Sequence, residues 1–283
     1  MPGSRLIALV AALLFGGAVA GADSVPPARV VSINLCTDQL AMLLAAPGQL
    51  YSVSHVALDR RASPMADRAA DHVINYGQAE EIYMMRPDLV LAGIHTPRST
   101  VAMLERLGIQ VAVFDTSATL DEVRARITEI GAALHREAAA RALVAAFDRR
   151  LTALRADAPG GDRPSAILYY ANGYTSGDDT LAGQILDLAG FDNAAVKAGY
   201  TWGRKLPLEV LALTDPDLVI TPQPYPGGSR AEEVADHPVV HALRDARAGA
   251  VVTDQDWICG TPFVLRAAEH LAQVRRDMRA VAQ

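Results

Sequence analysis

The strongest constraint on the fold of this chain is a unit that it contains twice. The segments EEIYMMRPDLVLAG, from Glu80, and EVLALTDPDLVITP, from Glu209, share the tetrapeptide PDLV, at Pro87–Val90 and Pro216–Val219, 129 residues apart. In both, a glutamate stands seven residues before the proline. Each copy predicts a short helix, a proline stop and a buried strand, because proline ends a helix and disfavours helical geometry in the residue before it. The apolar runs DLVLAG and DLVITP have the continuous hydrophobicity of strands covered on both faces, as in parallel sheets. A carboxylate near the start of a helix complements its dipole, which accounts for either glutamate alone but not for their matched offsets. Two copies imply two α/β bodies, and 283 residues exceed what one compact core usually needs.

The flanking sequence alternates in the same way. RVVSINLCTDQLAMLLA predicts a strand over Val30–Ile33 and a helix opening near Thr37 or Asp38, both good cap residues. LYSVSHV predicts a second strand with His55 at its end, TVAMLERLG a helix stopped by Gly108, and IQVAVFD a further strand. From Leu120 to Ala158 there is no proline and one glycine, predicting two helices that meet near His135. The second is expected to run about 33 Å at 1.5 Å per residue, until Pro159–Pro164 breaks it. Strands at SAILYY, DLVITP and GAVVTD then alternate with helices, the last beginning at Pro262. The chain therefore divides into an N-terminal α/β lobe (28–118), a helical linker (119–158) and a C-terminal α/β lobe (163–283), in the α/β class.

Net charge is −6 and no cluster of lysine or arginine stands out, which excludes nucleic acid and anionic membrane surfaces as electrostatic partners. Residues 1–22 are expected to be a secretory signal: Arg5 precedes an apolar run, Leu6–Phe15, too short to span a bilayer, and cleavage near Ala20 or Ala22 is expected. No cysteine near that point suggests a lipid anchor. The mature protein is thus expected to be soluble, exported to the periplasm and monomeric. Two cysteines, Cys36 and Cys259, hardly make a disulfide framework.

Five segments, RVVSINLCTDQL, INYGQAEEIYMMRPDLVLAG, YTSGDDTLAGQILDLAGFDN, TWGRKLPLEVLALTDPDLVI and VTDQDWICGTPFVL, are arranged in this order around the helical linker. Together they resemble the periplasmic substrate-binding proteins of the iron-siderophore, haem and vitamin B12 ABC importers, with the vitamin B12-binding branch nearest. The resemblance implies two Rossmann-like α/β lobes bridged by a single long helix, with a ligand cleft between them. It implies a receptor with no chemistry or cofactor of its own. Its ligand would be a metal chelate (a corrinoid foremost, then a ferric siderophore or haem), delivered to an inner-membrane permease and its ATPase. It also implies that Glu80 and Glu209 dock onto the permease, with Glu81 as an alternative to Glu80, and that lobe closure is small.

Ligands of such a fold meet loops at the carboxyl ends of strands. That rule gathers Asn34–Thr37 (with Cys36 and Thr37), His55, Tyr76, Tyr170, Tyr174, Tyr200, Trp202, Arg204 and the Trp257–Thr261 loop with Cys259. Aromatic residues are only 5% of the chain, so their concentration here suits a large, flat, partly apolar ligand. His55 is either a ligand to the chelated metal or a surface histidine; Arg204 and Arg98 either meet an anionic group or are solvated. Cys36 and Cys259 face the cleft from opposite lobes as a bond, as metal ligands or as two free thiols. The last is favoured, because a bond would oppose opening. A bare zinc or manganese ion would call on His237 and His241, which fall in the apparent turn DHPVVHAL. An enzyme finds no Gly-x-Ser-x-Gly elbow, zinc helix or phosphate loop to support it.

Overall fold

The computed structural model describes residues 25–158, 160–223, 227, 229–252 and 254–281; the expected signal segment and its cleavage positions lie outside them. The N-terminal lobe runs β1 (Val30–Ser32), α1 (Leu35–Leu44), β2 (Leu50–Ser54), α2 (Ala66–Ala69), β3 (Val73–Asn75), α3 (Ala79–Met84), β4 (Leu89–Gly93), α4 (Arg98–Arg106) and β5 (Val111–Phe114). Its sheet is parallel throughout, in the order β3-β2-β1-β4-β5. Next come two helices, α5 (Leu120–Ala133) and α6 (Glu137–Asp157), meeting at His135, whose φ of 54° turns the chain.

The C-terminal lobe runs β6 (Ser165–Leu168), β7 (Tyr174–Thr175), α7 (Leu181–Leu188), β8 (Asp192–Asn193), α8 (Ala194–Lys197), β9 (Arg204–Lys205), α9 (Leu208–Thr214), β10 (Leu218–Pro222), α10 (Pro238–Ala246), β11 (Gly249–Val252) and α11 (Val264–Val281). Strands β11-β10-β6-β8 form a second parallel sheet, while β7 and β9 pair antiparallel beside it.

The duplicated unit does the same structural work in both sheets. Arg86 (φ 50°) and Asp215 (φ 39°) end α3 and α9 in the left-handed region, each directly before its proline. The aspartate of PDLV then holds the start of the neighbouring strand. Asp88 Oδ2 accepts from the backbone N–H groups of Ala28 and Arg29 at 2.9 and 2.8 Å, just before β1. Asp217 Oδ2 accepts from the Ser165 backbone N–H and hydroxyl, both at 2.8 Å, at the first residue of β6. Registers match as well: Leu89, Val90 and Leu91 pair with Val30, Val31 and Ser32, and Leu218, Val219 and Ile220 with Ala166, Ile167 and Leu168. The leucine and valine of both copies are buried, as the sequence predicts for strands covered on two faces.

One apolar core runs through both lobes. Leu40 and Leu44 of α1, Val123, Ile127 and Ile130 of α5, Phe147 and Leu151 of α6, Ile185 of α7 and Leu271 of α11 belong to a single buried cluster. Helix α6, about 31 Å long at 1.5 Å per residue, is pinned to α11 at its far end. There Asp157 takes ion pairs from Arg275 and Arg276, and Arg150 pairs with Glu269.

Helix α1 starts earlier than the sequence suggests. Its cap is Asn34, whose Oδ1 accepts from the Cys36 N–H at 3.0 Å, so Thr37 and Asp38 lie inside the first turn, fully covered. The first turn is displaced because β1 ends at Ser32 and leaves Asn34 extended.

Because Asp88 and Asp217 perform equivalent tasks in separate sheets, Asp88→Ala and Asp217→Ala should each lower stability by about 1–2 kcal/mol. Their effects should add in the double variant. Urea unfolding of the four proteins checks this.

Candidate functional site

A pocket of about 310 Å³ opens between the lobes, at the carboxyl ends of β1, β4 and β5 on one side and against α7, Trp202 and the loop before α11 on the other. Its N-terminal wall is built by Asn34, Cys36, Thr37, Leu40, Gly93–His95 and Phe114–Ala118. Arg126 and Ile130 of α5 close the back, and Asp179–Ala182, Trp202, Trp257, Ile258 and Gly260 complete the opposite wall. The lining is largely apolar, with charge confined to Asp115, Asp179 and Arg126, and His95 among its polar side chains. Arg126 pairs with Glu129, and its Nε hydrogen has no protein partner.

Two glycines let the walls approach. A Cβ on Gly93 would lie 2.8 Å from the Asn34 side chain, and one on Gly260 would lie 2.2 Å from Ser117 Cβ. Ser117 instead donates its hydroxyl to the Gly260 carbonyl at 3.3 Å. Close by, the Thr261 hydroxyl donates to Gln39 Oε1 at 3.0 Å in a buried contact.

Between these contacts Cys36 and Cys259 are bonded to each other, with Cα atoms 5.2 Å apart across 223 residues of sequence. This corrects the expectation of two free thiols. The lobes are not two bodies that must separate along this edge, since α1 and the loop before α11 already pack together, and a bond between them sacrifices no opening there. Cys36 lines the pocket wall, and the bond engages both sulfurs.

Beneath the pocket lies a sealed polar layer. Asp38 accepts from the Ser54 hydroxyl and backbone N–H, and Ser32 and Thr37 share a hydroxyl–hydroxyl bond of 2.8 Å. Asn75 donates to the Ser32 carbonyl and the Ser52 hydroxyl. Burial pushes the Asp38 carboxyl up from 3.8 to about 7, against the lowering effect of its serine partners.

Of the residues selected from sequence, Cys36, Thr37, Trp202 and Trp257 line the pocket, and Cys259 ties its wall. Tyr170 stands behind Trp257, edge-on at 5.9 Å. His55 and Tyr76 stack on each other at 4.9 Å on the β2–β3 side of the N-terminal lobe, outside the pocket lining. Tyr174 and Arg204 are exposed on the β7–β9 pair, also outside it. Glu80 and Glu209 sit exposed in the first turns of α3 and α9, whereas Glu81 accepts the Tyr76 backbone N–H at 2.8 Å. His237 is not in a turn: it caps α10, its Nδ1 accepting from the Val239 N–H at 3.2 Å. Pro238 suits the first helical position, which is why it does not interrupt the segment. Among the described residues no group of three or more His, Cys, Asp or Glu is placed to hold a metal ion.

Sequence inspection passed over Ile94, His95, Asp115–Ala118, Arg126 and Asp179–Ala182. The loops after β4 and β5 obey the same strand-end rule that selected the others. Arg126, in mid-helix, carries no local signal.

A profile of the periplasmic binding protein family matches residues 30–256. The cobalamin-binding protein of Halobacterium salinarum is 30% identical over 203 residues, covering 69% of this chain and 54% of that protein. The chain thus spans about half the length of the curated relatives it matches. A periplasmic heme-binding protein solved with two hemes superposes with a TM-score of 0.70 at 26% identity, over 88% of this chain and 98% of that one. The periplasmic vitamin B12 binding protein of Vibrio cholerae shares the fold, with a TM-score of 0.65 at 18% identity over 90% and 98% of the two chains.

The site's construction makes two measurements informative. Replacing both cysteines (Cys36→Ser with Cys259→Ser) should lower stability by about 2–5 kcal/mol by releasing a long loop in the unfolded chain. Reducing agent should do the same to the wild type and nothing to the variant in urea unfolding. For Asp38 the folded state holds its proton more tightly than the unfolded chain. Stability is therefore lost as pH rises from about 4 to about 7 and levels off above that. Asp38→Asn should gain on the wild type across that window, by on the order of 4 kcal/mol at pH 8 and little at pH 4.

Proposed function

This chain belongs to the periplasmic binding protein family, and from that premise we propose that it is the extracytoplasmic receptor of an ABC importer, capturing a metal chelate between its lobes. The observation that carries the reading is the pocket: apolar, flanked by both tryptophans of the chain, and set between the carboxyl ends of β1, β4 and β5 and the start of α7 with the loop before α11. The absence of a metal-ligand cluster among the described residues favours a ligand that brings its own chelation over a bare ion.

The charge of the lining favours one kind of chelate. Asp115 and Asp179 repel a haem carrying two propionates or a polyanionic ferric siderophore, while Arg126 is already engaged by Glu129. A corrinoid, whose ring bears carboxamides, offers N–H donors to the two carboxylates. The relative named for cobalamin binding supports the same choice. At about 310 Å³ the pocket is at the small end for a bound ligand, so a corrinoid would insert one edge and extend to the mouth. There Trp202, 59% exposed, is available to stack on it. Delivery falls to Glu80 and Glu209, one exposed carboxylate on each lobe; Glu81, held by Tyr76, is not the free one. The receptor acts without catalysis of its own and is exported to the periplasm.

Tryptophan fluorescence during titration with cyanocobalamin, hemin, ferrioxamine and zinc, corrected for absorption by the coloured ligands, tests this. Cyanocobalamin should quench saturably at sub-micromolar concentration and zinc should not. Trp257→Ala should weaken binding about tenfold or more, the loss of one buried aromatic contact. No saturable response to any chelate would overturn the reading.

A further inference from the structure

The duplicated unit carries a feature that neither the strands nor the glutamates explain. Among the described residues, the most exposed large apolar side chains after Val25 are Leu213, 84% exposed, and Met84, 76% exposed. They occupy the same place in the two copies: Met84 is four residues after Glu80, and Leu213 four after Glu209. Residues four apart share one face of a helix. The inward positions match too, since Ile82 and Leu211, each two residues after the glutamate, are fully buried. The outward face of α3 therefore presents Glu80, Tyr83 and Met84, and that of α9 presents Glu209, Ala212 and Leu213, all exposed. Because the strands after these helices have equivalent registers, the two faces occupy equivalent positions in their lobes. Single exposed apolar residues are common on any surface. A matched pair at the same offset from a matched pair of carboxylates is not a scatter of single residues.

We propose that Met84 and Leu213 are paired apolar anchors that enter sockets on a membrane permease with two equivalent subunits, each socket lying beside the cation that meets Glu80 or Glu209. This rests on the importer reading above and adds an apolar component to it. Either face alone, one turn of a short helix, is far smaller than a specific protein interface. Two faces engaged at once by one symmetric partner gain from the effective concentration that the rigid receptor provides. A second copy of this chain is a poor occupant, because pairing these faces would bring glutamates together on a protein of net charge −6. A cationic, two-fold partner with apolar sockets satisfies both the charge and the duplication.

The test places p-benzoylphenylalanine at Met84, Leu213, Glu80, Glu209 and, as a control on a sheet edge, Val73 of the full-length protein, with ultraviolet illumination of intact cells of its own host. Adducts are identified by mass spectrometry. Crosslinks from Met84 and Leu213 to the same permease polypeptide, with none from Val73, are expected. Adducts from Glu80 or Glu209 without any from Met84 and Leu213 would overturn the apolar anchors and leave the importer reading intact. No permease adduct from any of the four positions would remove the importer reading and the anchors with it. Adducts to a second copy of this chain would also overturn the proposal. In parallel, Met84→Ser with Leu213→Ser should lower uptake of radiolabelled cyanocobalamin at least tenfold while leaving its fluorescence titration unchanged; unchanged uptake would count against the anchors.

Discussion

The joint between helix α1 and the loop before α11 is the constraint on which the remainder of the site depends. Three contacts converge there within a few residues: the Cys36–Cys259 bond, the buried Thr261–Gln39 hydrogen bond and the Ser117–Gly260 hydrogen bond. Each joins the N-terminal half of the chain to the C-terminal lobe, and Gly260 has no side chain because none would fit beside Ser117. The two walls of the pocket are thus set by covalent and hydrogen-bonded geometry and not by the stiffness of α6 alone. The same joint explains why Thr37, Asp38 and Gln39, three polar residues in one helical turn, are all buried. The serines of β1 and β2 satisfy part of that enclosed layer, while Asp38 Oδ1 and Gln39 Nε2 stay buried without a partner.

The lobes are alike in their sheets and different in their loops. From β1 the chain passes through Asn34 directly into α1, putting backbone and small side chains at the pocket. From the equivalent β6 it passes instead through Tyr169 and Tyr170 and a left-handed Asn172 into the β7–β9 pair, before reaching α7. One wall is consequently shallow and polar at its base, and the other carries the bulky aromatic groups. A flat ligand with a polar rim and an apolar face is matched by such an asymmetric cleft better than by two identical halves.

Much of this was readable from the chain alone, and the exceptions share a cause. The alternation of strand and helix, the paired lobes and the bend at His135 depend on local periodicity and stop signals, which act over a few residues. The purpose of the PDLV aspartate was not readable, because its carboxylate serves backbone about 60 residues earlier at Ala28 and Arg29. The cysteine pairing depends on the start of α1 and the loop before α11 being brought together by everything between them. Asn34 displaced Thr37 as the cap because a strand boundary moved by one residue, and a cap sets the register of the helix it opens. Arg126 reaches the pocket only because α5 packs across its back, which a helical pattern does not reveal. Tyr76 and Trp202 look equivalent in sequence, both aromatic beside a glycine, yet only Trp202 lines the pocket.

The bond between Cys36 and Cys259 also changes what kind of object the chain is. The elements from α1 to β11, including the linker helices and the exposed residues 160–162, lie inside one covalent ring, with β1 and α11 packed on the fold outside it. A single backbone cut anywhere within that ring leaves the two pieces attached to each other. In the extracytoplasmic setting proposed above, among proteases and without chaperones that consume ATP, a nicked molecule would still hold its two halves in register and keep its cleft assembled.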